Sequence, residues 1–446
     1  MLGQKLFEKA EKLIPCGVQL FSKSPYAIAP KIWPPYFSRA EGAKVWDLDG
    51  NEYLDLSHCS VGTCPLGYAN PVVNDAVKKT IDKGTMSVLN CPEEVELAEK
   101  LISLHPWADM VRYTRGGGEA VAIAVRIARA YTGKTNVITT GYHGWTDVYL
   151  ANKQAPEQFR QYDVFQGPNF DGIPKELAGT TIPCKFGDIR SLIEAIDYCL
   201  DNGGLAAIVV DPAPAIEGLT DEIKKFFIEC VANYCFGYNA IFICDEVSSG
   251  FRTEVGGHHK GLNVEPDIAV FAKAISNGYP FGAVVGKKDI MEAAKNTFIS
   301  STYWTERIGP VAALTTINEF ERLEAHKYLN EMGKSFYRTL GWVACGLKNI
   351  KMYHAGIFPL FRFRFEAENQ NPHAISTLYI QEMLKRGFLT TGQFYPMLSH
   401  NEECLDKYFV AAMDILGWIN YLLEDGTKIE KYLDGPVKWS HVIRRI

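Results

Sequence analysis

The segments Ala240-Ile241-Phe242-Ile243-Cys244-Asp245-Glu246 and Asp267-Ile268-Ala269-Val270-Phe271-Ala272-Lys273 decide the fold of this chain. Each contains a short, uniformly apolar run, the pattern of a strand buried on both faces. Similar β-rich runs stand at residues 137–140, 205–210 and 282–286, and helical stretches such as 188–200 and 221–234 fall between several of them. Strands alternating with helices predict a mostly parallel sheet in an α/β domain, whose ligands sit beyond the carboxyl ends of the strands. Both quoted segments put chemistry at that end. Asp245 and Glu246 emerge from the first, and Lys273 closes the second, 28 residues beyond Asp245.

A carboxylate at a strand end is costly to desolvate unless a cation faces it, so Asp245 implies a positive group on a ligand or neighbour. Capping the following turn is the plainer use of such an acid. A lysine in an apolar cleft loses basicity and can form a Schiff base with a carbonyl, whereas most lysines are simply solvated. Arg115-Gly116-Gly117-Gly118-Glu119 stands just before a helix predicted over 120–131. Its glycines let the backbone approach an anion, and the free N–H groups of the first turn attract one; the same residues also fit a plain chain reversal. Together with Gly141-Tyr142-His143-Gly144, these features match the needs of pyridoxal 5′-phosphate. That cofactor requires a phosphate cradle, an acid for the pyridine nitrogen, a lysine for the aldehyde and an aromatic face for the ring.

The chain has 446 residues, 47% hydrophobic, 22% charged and 12% aromatic, a globular composition that excludes disorder and is too long for one core. A formal charge of −6 argues against a nucleic-acid footprint and requires any bound phosphate to be held locally. Eleven cysteines without CxxC pairs predict a reducing, cytoplasmic setting. Residues 1–14 read as an amphipathic helix rather than a signal peptide, and no run reaches the roughly 18 apolar residues of a membrane helix. Residues 44–56 predict a hairpin around Asp49-Gly50-Asn51, and 71–83 and 94–105 predict helices. Beyond Gly309-Pro310 the pattern gives a long helical stretch to 347, a strand within 358–365 and helices at 375–386 and 404–423. The expected organisation is an N-terminal segment 1–65 joining the small domain, a large cofactor-binding domain 66–312, and a C-terminal small α+β domain 313–446.

Nearly the whole chain resembles the class III aminotransferases of PLP fold type I, in the glutamate-1-semialdehyde aminomutase-like branch. The resemblance runs through Leu6-Phe7-Glu8-Lys9-Ala10, Ala40-Glu41-Gly42-Ala43, Trp46-Asp47-Leu48-Asp49-Gly50-Asn51 and Leu66-Gly67-Tyr68-Ala69-Asn70-Pro71. It continues through Gly141-Tyr142-His143-Gly144, Asp245-Glu246-Val247, Gly250-Phe251-Arg252 and the strand before Lys273. It implies that Lys273 is the Schiff-base lysine and proton carrier, and that Asp245 holds the pyridinium proton. Tyr142, with His143 beside it, and Val247 are implied as ring contacts. Gly116, Gly117 and Gly118 are implied as the phosphate turn, although the family usually has Ser-Gly-Thr there. The family's phosphate site is completed by a threonine of the neighbouring subunit, five residues before a proline. Thr305 precedes Pro310 by five, with Thr302 as a second match, so the resemblance implies a homodimer with shared active sites.

Three substrate-side positions depart from the aminomutase. Lys23 stands where it has an arginine, Tyr395 stands where its Ser-Gln-Phe-Glu motif has the glutamate, and 146–174 replaces its Gly- and Ser-rich lid. The implied activity is therefore transfer of an amine from a small-molecule donor to a carbonyl acceptor, in sugar or surface-glycan biosynthesis. The alternatives are intramolecular transfer, as in the aminomutase, and a non-catalytic binding module. Phe361-Arg362-Phe363-Arg364-Phe365 predicts a strand with three aromatics on one face and both arginines on the other, where they could clamp a substrate carboxylate or phosphate, although a solvated outer face of the small-domain sheet is the plainer reading. His258-His259 lacks metal-site spacing, so no metal is expected.

Overall fold

The computed structural model describes residues 1–164 and 170–439, so residues 165–169 of the 146–174 segment lie outside the described residues. The chain divides into two units. One comprises Pro71–Pro214 and Gly218–Lys327; the other comprises Met1–Asn70, Ala215–Glu217 and the described part of Tyr328–Ile446.

The larger unit is built on a seven-stranded sheet. Its order is Met110–Thr114, Gly282–Gly286, Ile268–Phe271, Ile241–Asp245, Leu205–Val210, Asn136–Thr140, Thr181–Pro183. The strands from Ile268–Phe271 to Thr181–Pro183 run parallel, and Gly282–Gly286 is antiparallel to both its neighbours. Met110–Thr114 therefore points the same way as the parallel set. Every residue of Leu205–Val210 and Ile241–Asp245 is buried, which explains their lack of polar alternation. Helix Gly117–Thr132 covers the sheet through Ala120, Ile123, Ala124 and Ile127. Gly133 ends it in a left-handed conformation, donating its N–H to the Arg129 carbonyl. Because this helix follows Met110–Thr114, the Gly116–Gly118 turn leaves the sheet at the same edge as Asp245 and Lys273.

The smaller unit holds a four-stranded sheet, ordered Phe37–Glu41, Lys44–Asp47, Glu52–Asp55, Phe388–Leu389. It also holds a three-stranded sheet ordered Lys351–Ala355, Phe361–Glu366, Gln393–Phe394. The hairpin turn is tied by Asp47, whose carboxylate accepts from the Asp49 and Asn51 N–H groups, both at 2.9 Å. Phe361, Phe363 and Phe365 enter a core with Phe336, Phe394 and Tyr408. Arg362 and Arg364 face away from it, as the alternation requires.

Two differences from the sequence expectation have local causes. The helical stretch after Pro310 is two helices, Ile308–Arg322 and Ala325–Cys345, broken where Glu324 adopts φ +46°. The expected boundary at 312/313 also falls inside Ile308–Arg322, which belongs to the larger unit and buries Val311, Ala312, Ile317 and Phe320.

Candidate active site

Asp245 closes its strand and is 5% exposed. Its Oδ2 accepts from His143 Nδ1 at 2.7 Å, and its Oδ1 accepts from the Val247 N–H at 3.0 Å. His143 is buried, with Nε2 3.1 Å from the Thr140 carbonyl. Each carboxylate oxygen accepts two hydrogen bonds, so Asp245 has capacity for another donor.

Val270 on the neighbouring parallel strand pairs with Asp245, which sets Lys273 just past the register of the acid. Lys273 has φ +50°, a left-handed conformation costing a residue with a Cβ roughly 1–2 kcal/mol. Such strain persists only where the surroundings fix it. Its Nζ donates to Ser248 Oγ at 2.6 Å.

The glycine turn packs against both loops. A Cβ on Gly117 would lie 2.7 Å from Val247 Cγ1, and one on Gly144 would lie 2.9 Å from the Gly118 Cα. Gly118 approaches the Trp145 ring, since its Cβ would meet Cδ1 at 3.2 Å. Beside Gly116 the space is open, with nothing within 4 Å of an added Cβ. Tyr142 is 53% exposed, and burial followed by the charge of Asp245 pushes its phenol up.

Thr302 and Thr305 are exposed in one 3₁₀ turn, where Thr305 Oγ1 donates to the Thr302 carbonyl at 2.8 Å. Arg115, which leads into the glycine turn, donates to the adjacent Glu306 carbonyl at 2.6 Å. Lys23 and Tyr395 belong to the other unit. Lys23 Nζ donates to Ser60 Oγ at 3.0 Å, and the buried Tyr395 donates its N–H to the Ser57 carbonyl at 2.9 Å.

The two adjacent histidines separate. His258 meets Thr253 Oγ1 at 2.9 Å, while His259 is buried beside Glu246 and Cys244, close enough for three metal ligands. Glu246 is already engaged: its Oε1 accepts from His259 Nδ1 at 2.7 Å and the His259 N–H at 2.8 Å, and its Oε2 accepts from Ser249 Oγ at 2.5 Å. Burial pushes the Glu246 carboxyl up, but the His259 hydrogen bond and charge outweigh it and bring it down to about 2. These protein donors account for the cluster as a buried hydrogen-bonded pair.

Sequence reasoning missed Ser248, Trp145 and Asp211. Asp211 had a legible signal, since it follows the strand Leu205–Val210 as Asp245 follows Cys244. Val210 pairs with Cys244, so Asp211 and Asp245 leave adjacent strands side by side. Burial, then the charge of Asp245, raises the Asp211 carboxyl from 3.8 to about 6. An acid whose folded value exceeds its unfolded one loses stability as pH rises between the two, here from about 4 to about 6, and the loss persists above. At 1.36 kcal/mol per unit the upper bound is roughly 3 kcal/mol. Asp211→Asn is therefore expected to raise Tm at pH 7.5 and change it little at pH 4. Equal shifts at both pH values would show that the carboxylate carries no such penalty.

A parallel sheet with a lysine, an acid and a glycine turn at one edge is the arrangement of a PLP fold type I enzyme. The chain belongs to the class III aminotransferases, whose family model matches residues 29–407. It is 34% identical to a 3-aminobutyryl-CoA aminotransferase of Cloacimonas acidaminovorans over 75% of this chain and 76% of that one. It is 30% identical to a glutamate-1-semialdehyde 2,1-aminomutase of Methanothrix thermoacetophila over 91% of this chain and 94% of that one. A solved transaminase with PLP bound superimposes with a TM-score of 0.80 at 25% identity, covering 94% of this chain and 99% of that one. Pyridoxal 5′-phosphate is thus the cofactor. The residues present fit it: Asp245 has acceptor capacity, Lys273 stands in adjacent register, and the cradle beside Gly116 is open.

Proposed function

We propose that this aminotransferase uses Lys273 and Asp245 as catalytic residues in two half-reactions, taking an amine from a donor and giving it to a carbonyl acceptor. The meeting of Lys273, Asp245 and the glycine turn at one sheet edge carries this reading. When bound, pyridoxal phosphate supplies the electron sink for the charge left as substrate carbon loses its proton. Lys273 Nζ holds the cofactor aldehyde between turnovers and carries that proton. Asp245 receives the pyridine N–H, and His143 fixes the carboxylate through its 2.7 Å hydrogen bond. Tyr142 and Val247 would contact the ring of the bound cofactor. The backbone N–H groups of Gly116, Gly117 and Gly118 hold the phosphate, replacing the two hydroxyls of the usual family turn.

The test loads the protein with PLP, follows its visible absorbance while amino donors are added singly, and then offers acceptors to the aminated form. The donor panel includes 3-aminobutyryl-CoA, after one relative, and the acceptors include a keto-sugar nucleotide for the glycan reading. A second reading, intramolecular amine transfer, is favoured by the aminomutase relative spanning most of the chain. Lys23 and Tyr395 argue against it, because neither supplies the bidentate cation or the carboxylate of the aminomutase. Negligible 5-aminolevulinate is expected from glutamate-1-semialdehyde without a donor; rapid donor-independent conversion would establish the aminomutase instead.

A homodimer is also part of the proposal, with Thr305 reaching the neighbour's phosphate. Exposed Thr305 in a turn bearing exposed Tyr303 supports it, as do exposed Val88, Leu89 and Phe298 in the same unit. A charged hydrogen bond is worth about 1.5–3 kcal/mol, so Thr305→Ala is expected to weaken PLP binding roughly tenfold or more. Retention of cofactor should then depend on protein concentration. A monomer that keeps PLP on dilution to nanomolar protein contradicts the dimer. A cytoplasmic location is proposed from the eleven free cysteines. Among the described residues, no helix is long and apolar enough to cross a membrane.

A further inference from the structure

Trp145 is 72% exposed, yet its ring is set against the glycine turn of the larger unit. An exposed tryptophan alone says little, because single apolar residues are common on protein surfaces. Its position says more. Trp145 directly follows Gly144, which has φ +112° and where an added Cβ would lie 2.9 Å from the Gly118 Cα. Two backbones approach this closely only where side chains are missing, and the approach brings the indole alongside the first turn of helix Gly117–Thr132.

Gly118 meets the polar edge of the ring. A Cβ there would lie 3.2 Å from Trp145 Cδ1 and 3.3 Å from Trp145 Nε1, closer than the roughly 3.5–4.0 Å of a relaxed contact. The space that a side chain at 118 would enter is thus taken by the edge that carries the indole N–H. That group can only donate, and among the described residues it has no protein acceptor.

The turn itself is short of side-chain donors. Gly117 and Gly118 are the first two helical residues, whose N–H groups have no acceptor within the helix. Glu119, the acid of this turn, accepts the Arg115 N–H on Oε2 at 2.9 Å. Val247 closes the turn at Gly117, whereas the space at Gly116 is open. Two kinds of donor therefore border the turn, the backbone N–H groups of the helix start and the indole N–H beside Gly118.

We propose that Trp145 is a further phosphate-binding residue of the cofactor site, its Nε1–H donating to a phosphate oxygen held at Gly116–Gly118. Three successive glycines offer no side-chain donor, and the indole supplies one. Gly118 is glycine because a larger residue would push that donor away. The assignment rests on the reading of Gly116–Gly118 as the phosphate turn, and the experiment below separates the two.

The full chain is titrated with PLP and with pyridoxal, which lacks the phosphate, and binding of each is followed by visible absorbance. Trp145→Phe keeps a ring and removes the N–H at an exposed position, which spares the fold. It should weaken PLP roughly tenfold, the scale of a hydrogen bond to a charged group, and leave pyridoxal unchanged. Gly118→Ala should also weaken PLP selectively, but add nothing in the Trp145→Phe background, because both changes remove one interaction. Gly116→Asp puts a negative charge into the open space, at an extended φ of −156° that any residue adopts. It should weaken PLP more than Trp145→Phe does and spare pyridoxal. If Gly116→Asp discriminates against PLP while Trp145→Phe binds PLP as wild type does, or loses PLP and pyridoxal equally, the role of Trp145 is overturned and the turn stands. Fully additive losses in the double variant likewise overturn the pairing of Gly118 with the indole. A Gly116→Asp protein with wild-type PLP affinity overturns the turn as the phosphate site, and the assignment of Trp145 with it.

Discussion

Lys273→Ala is expected to abolish transamination while leaving the protein folded and able to bind PLP. The phosphate turn, the ring contacts and Asp245 lie on other segments of the same unit, so removing the amine leaves them in place. The substitution deletes two functions at once, the attachment of the cofactor aldehyde and the carriage of the proton at substrate carbon. Loss of a positioned proton-transfer group alone costs roughly 10²- to 10⁴-fold. In wild type, borohydride should bleach the visible band and fix the cofactor to the peptide containing Lys273; in the variant neither should occur. Strain gives an independent readout. Lys273 sits at φ +50°, which alanine also dislikes, so Lys273→Ala should change Tm little, and Lys273→Gly should raise it. Normal turnover by a Lys273→Ala enzyme would end the assignment, since Lys273 is the amine that the strand register places beside Asp245.

What was legible in advance divides along burial. The strands Leu205–Val210, Ile268–Phe271 and Gly282–Gly286 match the expected runs, because sheet centres exclude polar residues and leave a pattern that context barely alters. Met110–Thr114, Thr181–Pro183, Phe37–Glu41 and Lys351–Ala355 escaped, and all four are sheet edges. An edge strand pairs on one side only and tolerates mixed residues, as in Met110-Val111-Arg112-Tyr113-Thr114, so its sequence carries little period. The candidate site divides similarly. Lys273 and Asp245 end apolar runs and stand out, whereas Ser248, which holds the lysine, is an ordinary turn residue until the register brings it to Nζ. Asp211 had the same signal as Asp245. It went unread because an acid followed by Pro212 also looks like a plain strand exit.

The second large effect is expected at Asp245. A carboxylate facing the pyridine nitrogen favours the protonated ring by opposite-charge stabilisation, and the protonated ring is the better electron sink. The setting amplifies this: Asp245 is 5% exposed, and its orientation is fixed by His143 on Oδ2 and the Val247 N–H on Oδ1. A preorganised charge in a water-poor site is worth more than the same charge in water. Asp245→Asn keeps the shape and an acceptor oxygen for one of the two contacts, but removes the charge. PLP should still bind, while proton removal from substrate slows by about 10²-fold or more, the scale for loss of a key electrostatic group. Deuterium on the reacting carbon should then slow the variant more than wild type, because the proton step becomes limiting. Asp211 sets a condition on the measurement. Its carboxyl is raised to about 6 partly by the charge of Asp245, so removing that charge should lower it and shift any acid limb of the rate profile downward. Comparison above pH 7, where Asp211 is ionised in both proteins, isolates the ring effect. An asparagine enzyme within a factor of about three of wild type there would make Asp245 a structural partner of His143 and not the acid of the cofactor.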